Sequence, residues 1–174
     1  MATPSTKFKL SAHSQTVPIE AEVYLTLQHV ADLLLRPLEE ALKPAGLSHT
    51  QYNVLRILRG AENNSESGGL PCGEIAERMI TRDPDITRLL DRLEARGLVA
   101  RSRQKKDRRV VQARITAAGI QLLKKLDKPM DAMHRKQFAH VPAAHLKQLL
   151  EHLKEIRSAV AQIKACAGDE EEAN

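Results

Sequence analysis

The fold is decided by residues 82–116, which read RDPDITRLLDRLEARGLVARSRQKKDRRVVQARIT. This stretch opens with a helix start, in which Asp83 caps and Pro84 fits the first position. The amphipathic helix that follows stops at Gly97, a residue that accepts the left-handed conformation of a helix end. Apolar and polar residues then alternate on both sides of a basic segment, which predicts a β-hairpin. Thr116 closes the stretch as the cap of another helix.

Positive charge is concentrated in this same stretch. Positions 82–109 hold 10 Arg or Lys against 5 Asp or Glu, a net charge of +5. The whole chain of 174 residues has 27 against 22, also +5, so the remaining residues are balanced at 17 and 17. Concentrated positive charge on a helix and a hairpin is typical of a surface that binds nucleic acid.

The overall composition narrows the class of protein. The chain is 42% hydrophobic, which predicts a globular fold, but it has only two Tyr, two Phe and no Trp. Proteins that bind single strands stack bases on aromatic side chains, so this composition favours duplex DNA. Cys72 and Cys166 lack metal-ligand or disulfide spacing and indicate a reducing compartment. We find neither an apolar run long enough for a membrane span nor a signal core, and expect a cytoplasmic, nucleoid-associated protein.

The chain before the decisive stretch predicts two helices behind a loose segment. Residues 1–17 are polar and unpatterned and predict a flexible arm. Residues 18–43 repeat apolar side chains every three or four positions, which predicts a long amphipathic helix. Ser48 and Gln51 have the spacing of a capping box and predict a helix over 47–60.

Three further helices complete the pattern. A short helix over 71–80 precedes the one that begins at Asp83, and the tight turn between them is typical of a helix-turn-helix. A helix over about 117–139 follows the hairpin. The last helix, over about 142–166, spaces its apolar residues alternately three and four apart, which predicts an interhelical seam. The seam consists of Leu146, Leu149, Leu153, Ile156, Val160 and Ile163. An acidic tail, 168–174, ends the chain.

These elements predict a mainly α fold with a small β-hairpin wing. A single domain over 18–167 would hold a winged helix-turn-helix at about 47–116 and two long terminal helices. A lone copy of either terminal helix would expose its apolar stripe. Pairing between two subunits would cover it, so we expect a homodimer.

The chain resembles the multiple-antibiotic-resistance regulator (MarR) family of winged-helix repressors over residues 20–165. Three motifs carry the resemblance: LEARGLV at 93–99, DRR at 107–109 and ITAAG at 115–119. They are similar to the family's Leu-Glu-x-x-Gly-Leu-Val, Asp-x-Arg and Leu-Thr-x-x-Gly, in the same order and spacing. The chain departs from the family at Pro71, where a Ser or Thr cap is usual.

The resemblance implies that Pro84, Thr87 and Arg88 contact DNA. Arginine can bond guanine through two hydrogen bonds in the major groove, and threonine can meet a thymine methyl group or a phosphate. The alternative for Arg88 is a surface ion pair with Asp85 or Asp91.

The wing supplies the other predicted DNA contacts. Arg109 resembles the wing arginine that enters the minor groove in this family, where a narrow groove attracts the guanidinium. Asp107 is expected to orient an arginine, because phosphates repel a carboxylate. The remaining basic residues are expected to contact phosphates and so add affinity without sequence information. They are Arg101, Arg103, Lys105, Lys106 and Arg108. The alternative is a solvated charged hairpin.

A small-molecule effector is a further implication of the resemblance. In this family a ligand, often phenolic or anionic, binds between the dimer helices and the winged helix and changes DNA binding. Tyr24, His29 and Tyr52 are the polar-aromatic candidates for such a ligand. Regulation would then be a coupling between the effector site and the DNA site.

Other classes receive less support from the sequence. We find no catalytic constellation and no glycine-rich phosphate motif, so we predict neither an enzyme nor a cofactor. His145 and His152 are seven positions apart, too far for the usual helical metal pair, and no metal site is predicted. Two alternatives stay open: a metal-responsive regulator, and an architectural or interaction dimer that needs no effector.

Overall fold

The computed structural model describes residues 17–63, 69–80, 85–103 and 110–171, with side chains as far as residue 162. The helices of this described part are α1 (Ile19–Leu42), α2 (His49–Asn63), α3 (Cys72–Arg78), α4 (Ile86–Ala95), α5 (Ala117–Gln137) and α6 (Ala143–Glu171). The strands are β1 (Leu70–Pro71), β2 (Val99–Arg103) and β3 (Val111–Ile115). This mainly helical chain with a small antiparallel sheet confirms the predicted fold class.

Contacts between Cα atoms divide the chain into two units between Pro37 and Leu38. The described part of the first unit consists of most of α1, where most side chains are exposed, including the apolar ones of Val23, Leu27 and Val30. The second unit contains the helix-turn-helix, the sheet, α5 and α6.

Helix α2 begins with the predicted capping box. The Gln51 backbone N–H donates to Ser48 Oγ at 3.2 Å, and the Ser48 N–H donates to Gln51 Oε1 at 3.0 Å. These bonds satisfy backbone groups that a helix start otherwise leaves without partners. The predicted end at Gly60 is wrong, because the helix continues to Asn63. Ala61 lies buried on its core face and holds the extra turn against the protein.

The sheet has the strand order β1-β3-β2, with both pairs antiparallel. The predicted hairpin is the β2–β3 pair, in which Val99 lies opposite Ile115 and Arg103 opposite Val111. Strand β1 is an addition, since Leu70 pairs with Ala113 where the sequence predicted a loop. Pro71 ends this strand, so α3 begins at Cys72 and is shorter than the predicted 71–80 helix.

The core is built from aliphatic side chains of the second unit. Every buried apolar residue in the described ranges lies between Leu42 and Met130. The fully buried centre consists of Leu42, Val54, Leu55, Leu58, Ile75, Leu90, Leu93, Val99 and Leu123. These residues come from the end of α1, from α2, α3, α4 and α5, and from β2, so the elements that present α4 share one packed interior.

Helix α6 is different, because its side chains from 143 to 162 are exposed except for the half-buried Leu146. The helix also extends through Gly168 to Glu171, which corrects the predicted end near 166 and the start of the predicted acidic tail. The predicted N-terminal arm falls, except for Val17, outside the described residues.

Candidate nucleic-acid interface

Helix α4 begins at Ile86 and is capped by Asp85, whose carboxylate accepts a hydrogen bond of 3.0 Å from the Arg88 backbone N–H. The predicted cap at Asp83 is therefore wrong by two residues. Asp85 directly precedes the apolar face that begins at Ile86, so its side chain is the one within reach of the first turn. Pro84, predicted at the first helical position, precedes the helix and lies outside the described residues.

Thr87 and Arg88 both occupy the first turn of α4 and are both exposed. The Arg88 guanidinium forms an ion pair with Asp85, with 2.9 Å between Nε and Oδ2, and 78% of its side chain is exposed. Such an exposed pair contributes little free energy in water, so Arg88 can exchange this partner for another. The opposite face of the helix is fixed by the buried Leu89, Leu90 and Leu93.

The C-terminal end of α4 is held by the protein. Gly97 adopts a φ of 68°, and the Leu98 N–H donates to the Leu93 carbonyl at 3.0 Å, which confirms the predicted glycine stop. The Arg96 guanidinium donates to the Gly46 carbonyl at 2.6 Å and to the Ala45 carbonyl at 2.8 Å. The end of the helix is thereby tied to the corner before α2.

The predicted cap at Thr116 adds a second tie. Its hydroxyl accepts from the Gly119 N–H at 3.1 Å, as an N-cap should, and donates to the Gly97 carbonyl at 2.7 Å. One side chain thus begins α5 and holds the turn after α4. The result is a helix that is exposed at its first turn and fixed at its last.

Arg101, a predicted phosphate contact, lies on β2, the first strand of the wing, and its guanidinium reaches α4. Its guanidinium pairs with Asp91 at 2.6 Å and with Glu94 at 2.6 Å, and only 25% of its side chain is exposed. The hydrogen bond from Arg101 lowers the pKa of Glu94 below its ordinary value, and the same bond raises the pKa of Arg101. Contact with phosphate stays a prediction for Arg101. In this structure its guanidinium already pairs with two carboxylates of α4.

The other wing residues are only partly described. Arg103 is exposed at the end of β2, opposite Val111. The remaining predicted wing contacts fall in 104–109, outside the described residues. They are Lys105, Lys106, Asp107, Arg108 and Arg109.

The predicted effector residues have contrasting surroundings. Tyr24 is 60% exposed on α1, where its hydroxyl accepts a hydrogen bond of 2.9 Å from Gln28 Nε2, and His29 on the same helix is also exposed. Tyr52 on α2 is 6% exposed, and the Arg56 guanidinium lies 5.8 Å from the centre of its ring. Burial raises the pKa of Tyr52 above its ordinary value, although Arg56 opposes this shift. The phenol of Tyr52 is therefore neutral at physiological pH.

Within the described ranges, no group of three or more His, Cys, Asp or Glu side chains is placed to hold a metal ion. The helices described here also include none that is long and apolar enough to cross a membrane.

Sequence reasoning missed the residues that hold α4 in place. Asp91 and Glu94 lie three positions apart on α4, a spacing that puts both on one helix face. Arg101 is a basic residue in the strand that follows, and this combination is the signal that could have predicted its ion pairs with them. The role of Arg96 had no such signal, because its acceptors are backbone carbonyls 50 and 51 residues away in sequence.

A helix-turn-helix whose second helix exposes its first turn, followed by an antiparallel hairpin, defines a winged-helix transcriptional regulator. The sequence model of the MarR family matches residues 47–111. A MarR transcription factor of Planctomyces limnophilus, solved by crystallography, is 38% identical and superposes with a TM-score of 0.59, covering 82% of this chain and 98% of that one. This protein therefore belongs to the MarR family, which confirms the resemblance and the prediction of a regulator and not an enzyme.

Two further relatives are similar to this chain. The transcriptional repressor MdtR of Bacillus subtilis is 32% identical over 99 residues, which cover 57% of this chain and 60% of MdtR. That match spans less than two thirds of the repressor. The crystal structure of CouR from Rhodococcus jostii, bound to p-coumaroyl-CoA, is 27% identical with a TM-score of 0.66, covering 81% of this chain and 95% of that one.

Proposed function

We propose that this MarR-family regulator is a cytoplasmic homodimer that represses transcription by binding a palindromic operator, and that a small molecule relieves this repression. The observation that carries the proposal is the asymmetry of α4. Its first turn exposes Thr87 and Arg88, while Arg96 and Gly97 tie its last turn to the protein. A helix held in this way can offer its first turn to a groove without losing its position.

The first turn of α4 would enter the major groove. Arg88 would leave its exposed pair with Asp85 and bond a guanine through two hydrogen bonds, while Thr87 would meet a thymine methyl group or a phosphate. The resemblance to the family adds Pro84 to this surface. Asp85 would remain in place as the helix cap, because its bond to the Arg88 backbone does not depend on the arginine side chain.

The hairpin would contact the flanking minor groove. Arg103 is exposed on β2 and is suited to a phosphate, and we retain Arg109 as the residue proposed to enter the groove. Lys105, Lys106 and Arg108 would add phosphate contacts, and Asp107 would orient one of the arginines. Affinity from such contacts falls as salt rises, because each neutralised phosphate releases counterions.

Homodimer formation is supported by the apolar side chains that the single chain leaves exposed. Helix α6 presents Leu149, Leu153, Ile156 and Val160 at alternating spacings of four, three and four, which is the pattern of a helix–helix seam. On α1, apolar residues at similar spacing are also exposed. Two-fold pairing would place two copies of α4 on half-sites about one helical turn, roughly 34 Å, apart.

Duplex selection tests the proposal. The purified full-length protein is incubated with fragments of the source genome, the bound duplexes are sequenced, and the recovered site is titrated against wild-type and variant protein at several salt concentrations. Arg88→Ala should weaken operator binding by about 1–3 kcal/mol and relax the preference at one base pair, because it removes a base contact.

Arg36→Ala is the matched control for this substitution. Arg36 forms a similarly exposed helical ion pair with Asp32 that belongs to α1 and not to α4, and its loss should leave DNA binding unchanged. Recovery of no common sequence would contradict operator binding, and equal effects of the two substitutions would contradict the assignment of Arg88.

The effector is proposed to be a phenolic or anionic molecule. CouR, whose structure contains p-coumaroyl-CoA, supports this class. In this chain the buried Tyr52 ring lies beside the positively charged Arg56, and Tyr52, Tyr24 and His29 all stay predictions as effector contacts. Release of the operator by p-coumaroyl-CoA or its free acid tests the class. Binding that neither compound changes, with or without chelator, would favour the effector-independent dimer.

A further inference from the structure

Glu94 accepts hydrogen bonds from both the backbone and the side chain of Arg101. One carboxylate oxygen, Oε1, accepts the Arg101 backbone N–H at 3.0 Å, and the other, Oε2, accepts Nε at 2.8 Å. The Arg101 Nη2 also lies 2.6 Å from Asp91 Oδ1. Helix α4 therefore holds the first strand of the wing through both the backbone and the guanidinium of one residue.

This arrangement opposes a phosphate contact. Arg101 carries one positive charge and faces two carboxylates, so the local sum is negative before any DNA arrives. A phosphate that approached the guanidinium would meet the negative charge of Asp91 and Glu94. Three-quarters of the Arg101 side chain is also withdrawn from solvent, whereas a phosphate contact requires an accessible cation.

We propose that Arg101 is a positioning residue. By pairing with Asp91 and Glu94 it sets the angle between α4 and the wing. The turn at Arg96–Leu98 joins α4 to β2 covalently, and a second tie at Arg101 prevents the strand from rotating about that turn. Two surfaces that must enter neighbouring grooves together bind more tightly when their geometry is fixed beforehand. This inference rests on the proposed DNA-binding function.

The sign of one substitution separates positioning from phosphate contact. Removing a negative charge near DNA strengthens binding when only electrostatics acts. Glu94→Gln removes such a charge but also weakens the grip on Arg101, so positioning predicts weaker operator binding, by about tenfold. Glu77→Gln is the control, because Glu77 is exposed on α3 and its neutralisation should leave binding equal or slightly tighter.

A double-substitution cycle and a footprint complete the test. If Arg101 acts through Glu94, Arg101→Met combined with Glu94→Gln should weaken binding no more than the stronger single change. Arg101→Lys should behave like Arg101→Met, because an ammonium group cannot reproduce the forked contacts. In a hydroxyl-radical footprint these variants should lose protection of the flanking minor groove but keep protection at the sites of α4. A thermal melt confirms that each variant is folded.

The outcomes are distinguishable from failure of the proposed function. If wild-type protein selects no duplex, the DNA-binding proposal fails first. If wild type binds but Glu94→Gln tightens binding and its effect adds to that of Arg101→Met, the positioning role is overturned. Retention of full affinity by Arg101→Lys, or joint loss of both protected regions in the folded variants, also overturns it.

Discussion

The helix-turn-helix and the terminal helix α6 carry similar apolar patterns, but only the first buries its pattern within the chain. Leu89, Leu90 and Leu93 of α4 are buried, whereas Leu153 and Ile156 of α6 are exposed. Apolar spacing therefore shows that a helix has a face to cover, and the tertiary structure shows whether the same chain covers it. In this protein the helix-turn-helix buries its apolar face within one chain, while α6 leaves its apolar face exposed.

The two ends of α4 repeat this contrast on a smaller scale. At the last turn, the Arg96 guanidinium donates to the backbone carbonyls of Ala45 and Gly46, and the Gly97 carbonyl accepts a hydrogen bond from the Thr116 hydroxyl. At the first turn, the Arg88 side chain has only an exposed pair with its neighbour Asp85 among the contacts described above. Contacts that fix the last turn of α4 also fix the position of its exposed first turn, so a ligand meets a defined surface there. The same chain thus separates the residues that hold the helix from those that are available to DNA.

The largest predicted effect is on the free energy of unfolding, and it tests whether the buried core holds the helix-turn-helix together. Leu90 is fully buried, so Leu90→Ala should lower the free energy of unfolding by about 3 kcal/mol, through lost burial and a residual cavity. Ile80→Ala is the control, because Ile80 is an exposed residue of the same lobe and its truncation should change stability by less than about 0.5 kcal/mol. Urea unfolding monitored by circular dichroism measures both. Equal effects would contradict the assignment of this core.

Features set by neighbours in sequence could be predicted, and features set by distant contacts could not. The Ser48–Gln51 box, the Gly97 stop and the Thr116 cap all depend on residues within one turn of the chain. Strand β1 was missed because a two-residue strand has no periodicity and is defined only by its pairing with β3. Local signals therefore predicted the helix-turn-helix and the hairpin but not the third strand.

The candidate site divides in the same way. The exposed first turn with Thr87 and Arg88 follows from the amphipathic pattern of α4, although its cap is Asp85 and not Asp83. Arg101 is basic and lies in the predicted wing, so sequence reasoning assigned it to phosphate. Only the tertiary structure brings it between Asp91 and Glu94. Positive charge in a sequence predicts an electrostatic surface but does not tell which cations already have partners.

The smaller effect tests whether α6 depends on a second copy. Leu153 is exposed in the single chain, and if it is buried in a dimer seam, Leu153→Ala should weaken association by about 2 kcal/mol, or roughly thirtyfold in dissociation constant. Sedimentation across a range of protein concentrations measures this constant. Glu155→Ala is the control, because position 155 lies on the opposite face of the helix from the seam. A dissociation constant equally affected by both substitutions would contradict the seam, whereas a shift confined to Leu153→Ala would explain why α6 carries a buried-type pattern on an exposed helix.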